Sequence, residues 1–166
     1  MLKLALSFAA FAILLALATP DFAARLSSLT STKQEELPSS PGAPARVMVA
    51  ADSRGHYQTD LIVNGKPLKA LVDTGASTVA LTYEDGRALG LIRPGDRFDV
   101  KIQTGNGTTE AKRVFLNTVR VGGITANNVE AIIGREGALG VNLLGMTFLK
   151  RIKGFEVRNG RLILEQ

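Results

Sequence analysis

The chain has 166 residues, 45% of them hydrophobic but only 5% aromatic, with 17 glycines. That balance suits one small β-rich domain with many tight turns better than a helical bundle. Cysteine is absent, which excludes a disulfide framework, thiolate chemistry and a Cys-ligated metal site. The net charge is +5, yet the basic residues are spread along the chain, so no nucleic-acid-binding face is expected.

The first element is a targeting segment. Lys3 precedes an apolar run from Leu4 to Ala18, interrupted only by Ser7 and ended by Pro20 and Asp21. Residues 1–20 therefore read as a signal or a membrane anchor that takes the protein out of the cytoplasm. Ala16-Leu17-Ala18 fits a cleavage site, and Met1 to Thr19 is barely long enough to cross a bilayer, so both outcomes stand. Residues 21–45 are a Ser/Pro-rich linker ending in Pro38-Ser39-Ser40-Pro41-Gly42-Ala43-Pro44, and residues 46–166 form the folded domain.

Within that domain, Leu61-Ile62-Val63, Asn64-Gly65 and Leu68 to Val72 read as a hairpin with a type I′ turn. A short helix follows Thr82 as N-cap, with Asp85 as a capping acid and Gly90 closing it. Phe98 to Gln103, Gly105-Asn106-Gly107 and Thr108 to Leu116 make a second hairpin with a glycine-rich tip. Gly122-Gly123 and Asn127-Asn128 read as turns, and Gly134 to Gly137 as a loop. Apolar residues at helical spacing predict a helix over about Asn142 to Lys150. Val157 to Leu164, turning at Asn159-Gly160, repeats the hairpin device at the C-terminus.

Leu71-Val72-Asp73-Thr74-Gly75-Ala76-Ser77-Thr78 is the most informative stretch. It sets a carboxylate directly after a strand too apolar to be a surface edge. Burial penalises an isolated carboxylate, so such an Asp is either paired or put to chemical use. On three residues alone, an Asp closing an Asx-turn explains the pattern equally well. His56, the sole histidine, cannot make a metal site by itself, and no Gly-x-Ser-x-Gly surrounds any serine.

In its wider context this stretch resembles the active-site turn of the aspartic peptidases. Asp73-Thr74-Gly75-Ala76 matches the retropepsin form of the motif, and the closest form is the bacterial, membrane-associated, single-domain type. The resemblance implies an all-β fold with short helices, a retropepsin-like acid-protease barrel with one lobe per chain. It implies Asp73 as the catalytic carboxylate, Thr74, Gly75 and Ala76 as the active-site turn, and Gly105, Asn106 and Gly107 as the flap. Ala138, Leu139 and Gly140 are assigned to the loop that closes behind the catalytic turn.

Two carboxylates sharing one proton are needed to activate water and polarise the amide, and the chain carries one Asp-Thr-Gly. The resemblance therefore implies a homodimer acting on protein or peptide substrates, without metal or cofactor, its C-terminal hairpin contributing to the interface through the apolar Leu162-Ile163-Leu164. It also implies the bacterial inner membrane, with the domain facing the periplasm, or a soluble exported form if the leader is cleaved. A non-catalytic dimeric binding or assembly module on the same fold is the alternative.

Overall fold

The computed structural model describes residues 35–36, 44–105 and 107–166, all within one unit spanning Lys33–Gln166. The N-terminal apolar run and most of the expected linker lie outside the described residues. Within the linker stretch, Glu35–Glu36 form strand β1, paired with Met48 and Val47 of β2 (Arg46–Ala50).

Strands β3 (Gln58–Val63) and β4 (Lys66–Val72) form the expected hairpin. Asn64 and Gly65 both take positive φ, 49° and 83°, as a type I′ turn requires. After β4 come the short strand β5 (Val79–Leu81) and helix α1 (Tyr83–Ala88). Thr82 caps α1 by accepting from the Asp85 N–H at 3.2 Å, and Gly90 at φ 74° closes it. Asp85 does not reach back as a capping acid; its carboxylate accepts from Asn142 Nδ2 at 2.6 Å.

Strands β6 (Val100–Thr104) and β7 (Gly107–Val121) form the second hairpin, and β7 turns at Gly122-Gly123 into β8 (Ile124–Gly134). Asn127-Asn128 is not a turn. Both residues lie inside β8, where Asn128 takes φ 50° without ending the strand.

The helix expected over Asn142 to Lys150 is half strand. Asn142–Leu144 is β9, parallel to β4 and antiparallel to β5, and only Met146–Leu149 is helical, as α2. Helical periodicity in nine residues cannot be told from a buried strand followed by one helical turn, and here pairing on both sides of β9 decides. β10 (Gly154–Arg158) and β11 (Arg161–Glu165) close the chain through Asn159-Gly160, again at positive φ.

The larger sheet runs β3-β4-β9-β5-β8-β7, and β7 returns to β3 through Arg120–Ile62 and Val119–Val63. Six strands thus close a barrel, and β6 extends from β7 as its last strand. A second sheet, β1-β2-β11-β10, packs Val47, Val49, Leu162 and Leu164 into the same core as Leu61, Leu116, Ile133, Leu144 and Phe148. Fully burying each such side chain contributes about 1.5–3 kcal/mol, which accounts for a fold this glycine-rich and poor in aromatics.

The connection between α1 and β6 is irregular and is held by charge. Lys112 Nζ on β7 donates to the Leu91 carbonyl at 2.7 Å and to the Asp96 carboxylate, which also accepts from the Arg93 N–H at 2.6 Å. The Lys112 hydrogen bond, followed by that of Arg93, holds the Asp96 carboxyl below the usual carboxylate range. A depressed native value adds stability above the unfolded value of about 3.9 and loses it as pH falls through the native one. Asp96→Asn should therefore lower the thermal midpoint at pH 7. The gap from wild type should shrink below about pH 4, as scanning calorimetry across pH would show; a gap unchanged at low pH would contradict this account.

Candidate active site

The Asp73 turn grows out of a central strand. β4 is paired with β3 on one side and β9 on the other, and the Asp73 N–H continues the second ladder by donating to the Leu144 carbonyl at 3.2 Å. The chain then reverses: the Ala76 N–H donates to the Asp73 carbonyl at 3.3 Å and the Gly75 N–H to Asp73 Oδ1 at 2.8 Å. A Cβ on Gly75 would come within 3.1 Å of that same oxygen, so the turn wraps closely around the carboxylate. Asp73 is half-buried, whereas Thr74 and Gly75 at the apex are exposed.

The turn is braced from behind. The Met146 N–H donates to the Ala76 carbonyl at 2.9 Å, and Thr147 Oγ1 accepts from the Val79 N–H at 2.9 Å while donating to the Glu130 carbonyl at 2.7 Å. This contact exists because residue 145 has no side chain. A Cβ there would lie inside van der Waals distance of the Thr78 carbonyl and 2.6 Å from that of Ala76.

Asn142, buried at the start of β9, fixes the register. Its Oδ1 accepts from the Thr82 N–H at 2.9 Å, and its Nδ2 donates to the Lys69 carbonyl at 2.8 Å as well as to Asp85.

Asp73, Gly75, Ala76, Gly105, Ala138, Leu139 and Gly140 all line one cleft of about 680 Å³. The turn and the hairpin tip, 30 residues apart in sequence, thus share one cavity, with Lys101 to Thr104 of β6 along its wall. Thr74 and Gly107 are outside the lining, though Gly107 pairs with Thr104 at the hairpin end. Asn106 lies outside the described residues.

The expected closing loop shifts by five residues. Ala138-Leu139-Gly140 borders the cleft, but a Cβ on Gly140 would meet nothing within 4 Å. The apolar pair and glycine that pack against the turn are Leu143-Leu144-Gly145, leading directly into α2. Both triplets share one pattern, and only the helix starting directly after Gly145 separates them in the sequence.

A larger concavity of about 1060 Å³ on the β3–β4 side mixes Asp52, Arg54, His56, Asp60, Lys69 and Glu84, and Asp73 is not part of it. The hydrogen bond from the His56 N–H, followed by that of Arg54, holds the Asp52 carboxyl below its ordinary range. Among the described residues, no group of three or more His, Asp or Glu side chains is arranged to hold a metal ion.

A closed six-stranded barrel with an Asp-Thr-Gly turn beneath a hairpin tip defines the retropepsin-like aspartic protease fold. In agreement, residues 59–151 match the family described as gag-polyprotein putative aspartyl protease. A retropepsin-like aspartic protease from Rickettsia conorii superposes with a TM-score of 0.67 at 32% identity, covering 80% of this chain and 95% of that one. EIAV protease complexed with the inhibitor HBY-793 superposes with a TM-score of 0.53 at 23% identity, over 66% of this chain and 100% of that one, a likeness of fold alone.

Two relatives are uncharacterized. A protein of Sinorhizobium sp. from the cobV 5′ region is 37% identical over 73% of this chain and 57% of its own length. One from Rickettsia prowazekii (strain Madrid E) is 36% identical over 71% and 50%. The chain spans about half the length of these curated relatives. It belongs to the retropepsin-like aspartic protease family.

Gly145→Ala should destabilise the fold by about 1–3 kcal/mol or more, because backbone oxygens cannot move aside as a flexible side chain could. Gly140→Ala should stay within about 0.5 kcal/mol of wild type. Urea unfolding of both variants measures this, and equal stabilities would refute the bracing role of residue 145.

Proposed function

We propose that the chain is an aspartic endopeptidase whose active unit is a homodimer, each copy supplying Asp73. The observation that carries this reading is the Asp73-Thr74-Gly75 turn, a carboxylate at the end of a central strand in one cleft with the tip of an overhanging hairpin. Two such carboxylates about 3 Å apart cannot both ionise, so one accepts a proton from water while the other donates to the substrate carbonyl. Thr74 and Gly75, exposed at the apex, are placed to meet the partner's turn. β6 ends its sheet, and its outer edge supports pairing with an extended peptide closed under the hairpin.

The dimer surface in this reading differs from the one the sequence suggests. Leu162, Ile163 and Leu164 are buried within the chain, and β11 is flanked by β2 and β10. The same hairpin instead offers β10, an edge strand with Phe155 and Val157 exposed at 38% and 60%, which suits strand pairing between copies. The N-terminal apolar run extends the proposal to a bacterial inner-membrane enzyme of the membrane-associated type. Its domain would face the periplasm, or be released in soluble form on cleavage, and anchorage would raise the local concentration that favours pairing. Among the described residues no helix is long and apolar enough to cross a membrane.

Asp73→Asn should reduce peptide cleavage by about 10²–10⁴-fold or more with the fold intact by circular dichroism. In mixtures, excess Asp73→Asn chains should poison wild type as subunits exchange. Cleavage undiminished in Asp73→Asn would refute the catalytic assignment. Activity unaffected in mixtures despite demonstrated exchange would refute the dimeric site.

A further inference from the structure

We propose that Lys101 is a specificity-determining residue that makes the cleft prefer peptides with an acidic side chain near otherwise apolar residues at the scissile bond. The proposal rests on the peptidase reading above and names its substrate class.

Among the residues lining the cleft, Asp73 and Lys101 are the charged ones; the remaining wall includes Ile102, Ile132, Leu139, Val141 and Leu143. An extended peptide therefore meets aliphatic side chains interspersed with the uncharged polar Ser77, Thr78, Gln103 and Thr104, and a cation at one place on the hairpin. Lys101 lies on β6, is exposed, and its ammonium has no ion-pair or hydrogen-bond partner among the described residues.

The nearest anion does not cancel it. Glu110 stands directly opposite Lys101 in the β6–β7 ladder, but its carboxylate is taken by Arg135, with Nε at 2.7 Å and Nη2 at 2.6 Å. Arg135 is itself fixed, its guanidinium lying 5.2 Å from the centroid of the Phe98 ring. Glu110 and Arg135 neutralise one another, and the Lys101 charge is left over. Asp99, two residues earlier, does not line the cleft.

Asp73 supplies the contrast. An active dyad carries a negative charge that disfavours acidic substrates, so an uncompensated ammonium on the facing hairpin offsets that repulsion at its own position. In a two-fold dimer each half of the cleft carries one Lys101, so the acidic preference should arise on both sides of the scissile bond.

The test uses a peptide that the wild type cleaves, or failing that binds, with Glu or Gln substituted in turn at every position flanking the central apolar pair. Cleavage is read as the Glu/Gln ratio of kcat/KM. Binding is read by fluorescence anisotropy on Asp73→Asn, which keeps the hairpin and Lys101.

At its best position Glu should be favoured over Gln by about two- to fivefold. Lys101→Met should bring the ratio to one or below, and Lys101→Glu should lower it further. The preference should weaken in about 1 M salt, and fade below about pH 4 as the substrate carboxyl protonates.

Asp73-dependent cleavage with a ratio of one at every position, or a ratio unmoved in Lys101→Glu, would overturn the role of Lys101 and leave the peptidase reading standing. Glu-selective binding that Lys101→Glu abolishes, without cleavage by wild type, would support Lys101 and count against catalysis. Absence of both binding and cleavage would overturn both.

Discussion

The carbonyl oxygens of Ala76 and Thr78 fill the space in which a side chain at residue 145 would begin, and this close approach organises the centre of the molecule. It lets α2 start directly against the Asp73 turn, so that Met146 and Thr147 can bond to Ala76 and Val79. With the turn held there, β9 is drawn between β4 and β5, and the barrel closes around Leu144 and Phe148. Asn142 then secures the other end of β9 by bonds to three residues, Lys69 of β4 and Thr82 and Asp85 at the start of α1. One missing methyl group thus couples the position of the half-buried Asp73 carboxylate to the packing of the core.

How far the sequence foretold this depends on the range over which each feature is determined. The Asn64-Gly65 and Asn159-Gly160 hairpins were legible because a type I′ turn demands left-handed backbone at both positions, a requirement settled within two residues. α1 was legible from Thr82 and Gly90 for the same reason. β9 and α2 were not, since the choice between strand and helix over residues 142–149 is made by pairing partners some 60 to 70 residues away. The closing glycine was misplaced at Gly140 because local pattern cannot say which glycine faces backbone oxygens. Asn128 shows the converse, a turn-forming residue in left-handed conformation inside a strand that the ladder with β7 keeps running.

The Asp73-Thr74-Gly75 turn was readable as a local motif, whereas the character of the cleft around it was not. Asp73-Thr74-Gly75 is contiguous, but the cleft is assembled from the turn, the β6 arm, the end of β8 and the approach to β9. Lys101 carries no motif, and its charge matters only because Glu110 is engaged by Arg135, which β8 delivers from the far side of the hairpin. Electrostatic excess of this kind is a property of the ion pairs around a residue and leaves no trace in its neighbours along the chain.

Among the described residues, the Asp73 turn is braced from behind through Leu144, Met146 and Thr147, while Thr74 and Gly75 at its front are exposed. In the proposed dimer the second copy would complete the dyad, while the barrel core is closed by the chain's own β3–β7 pairing. Pairing in that proposal depends on concentration, whereas burial within the barrel does not. A dilute chain would lack half of the proposed dyad, which makes local concentration the natural control on the proposed activity.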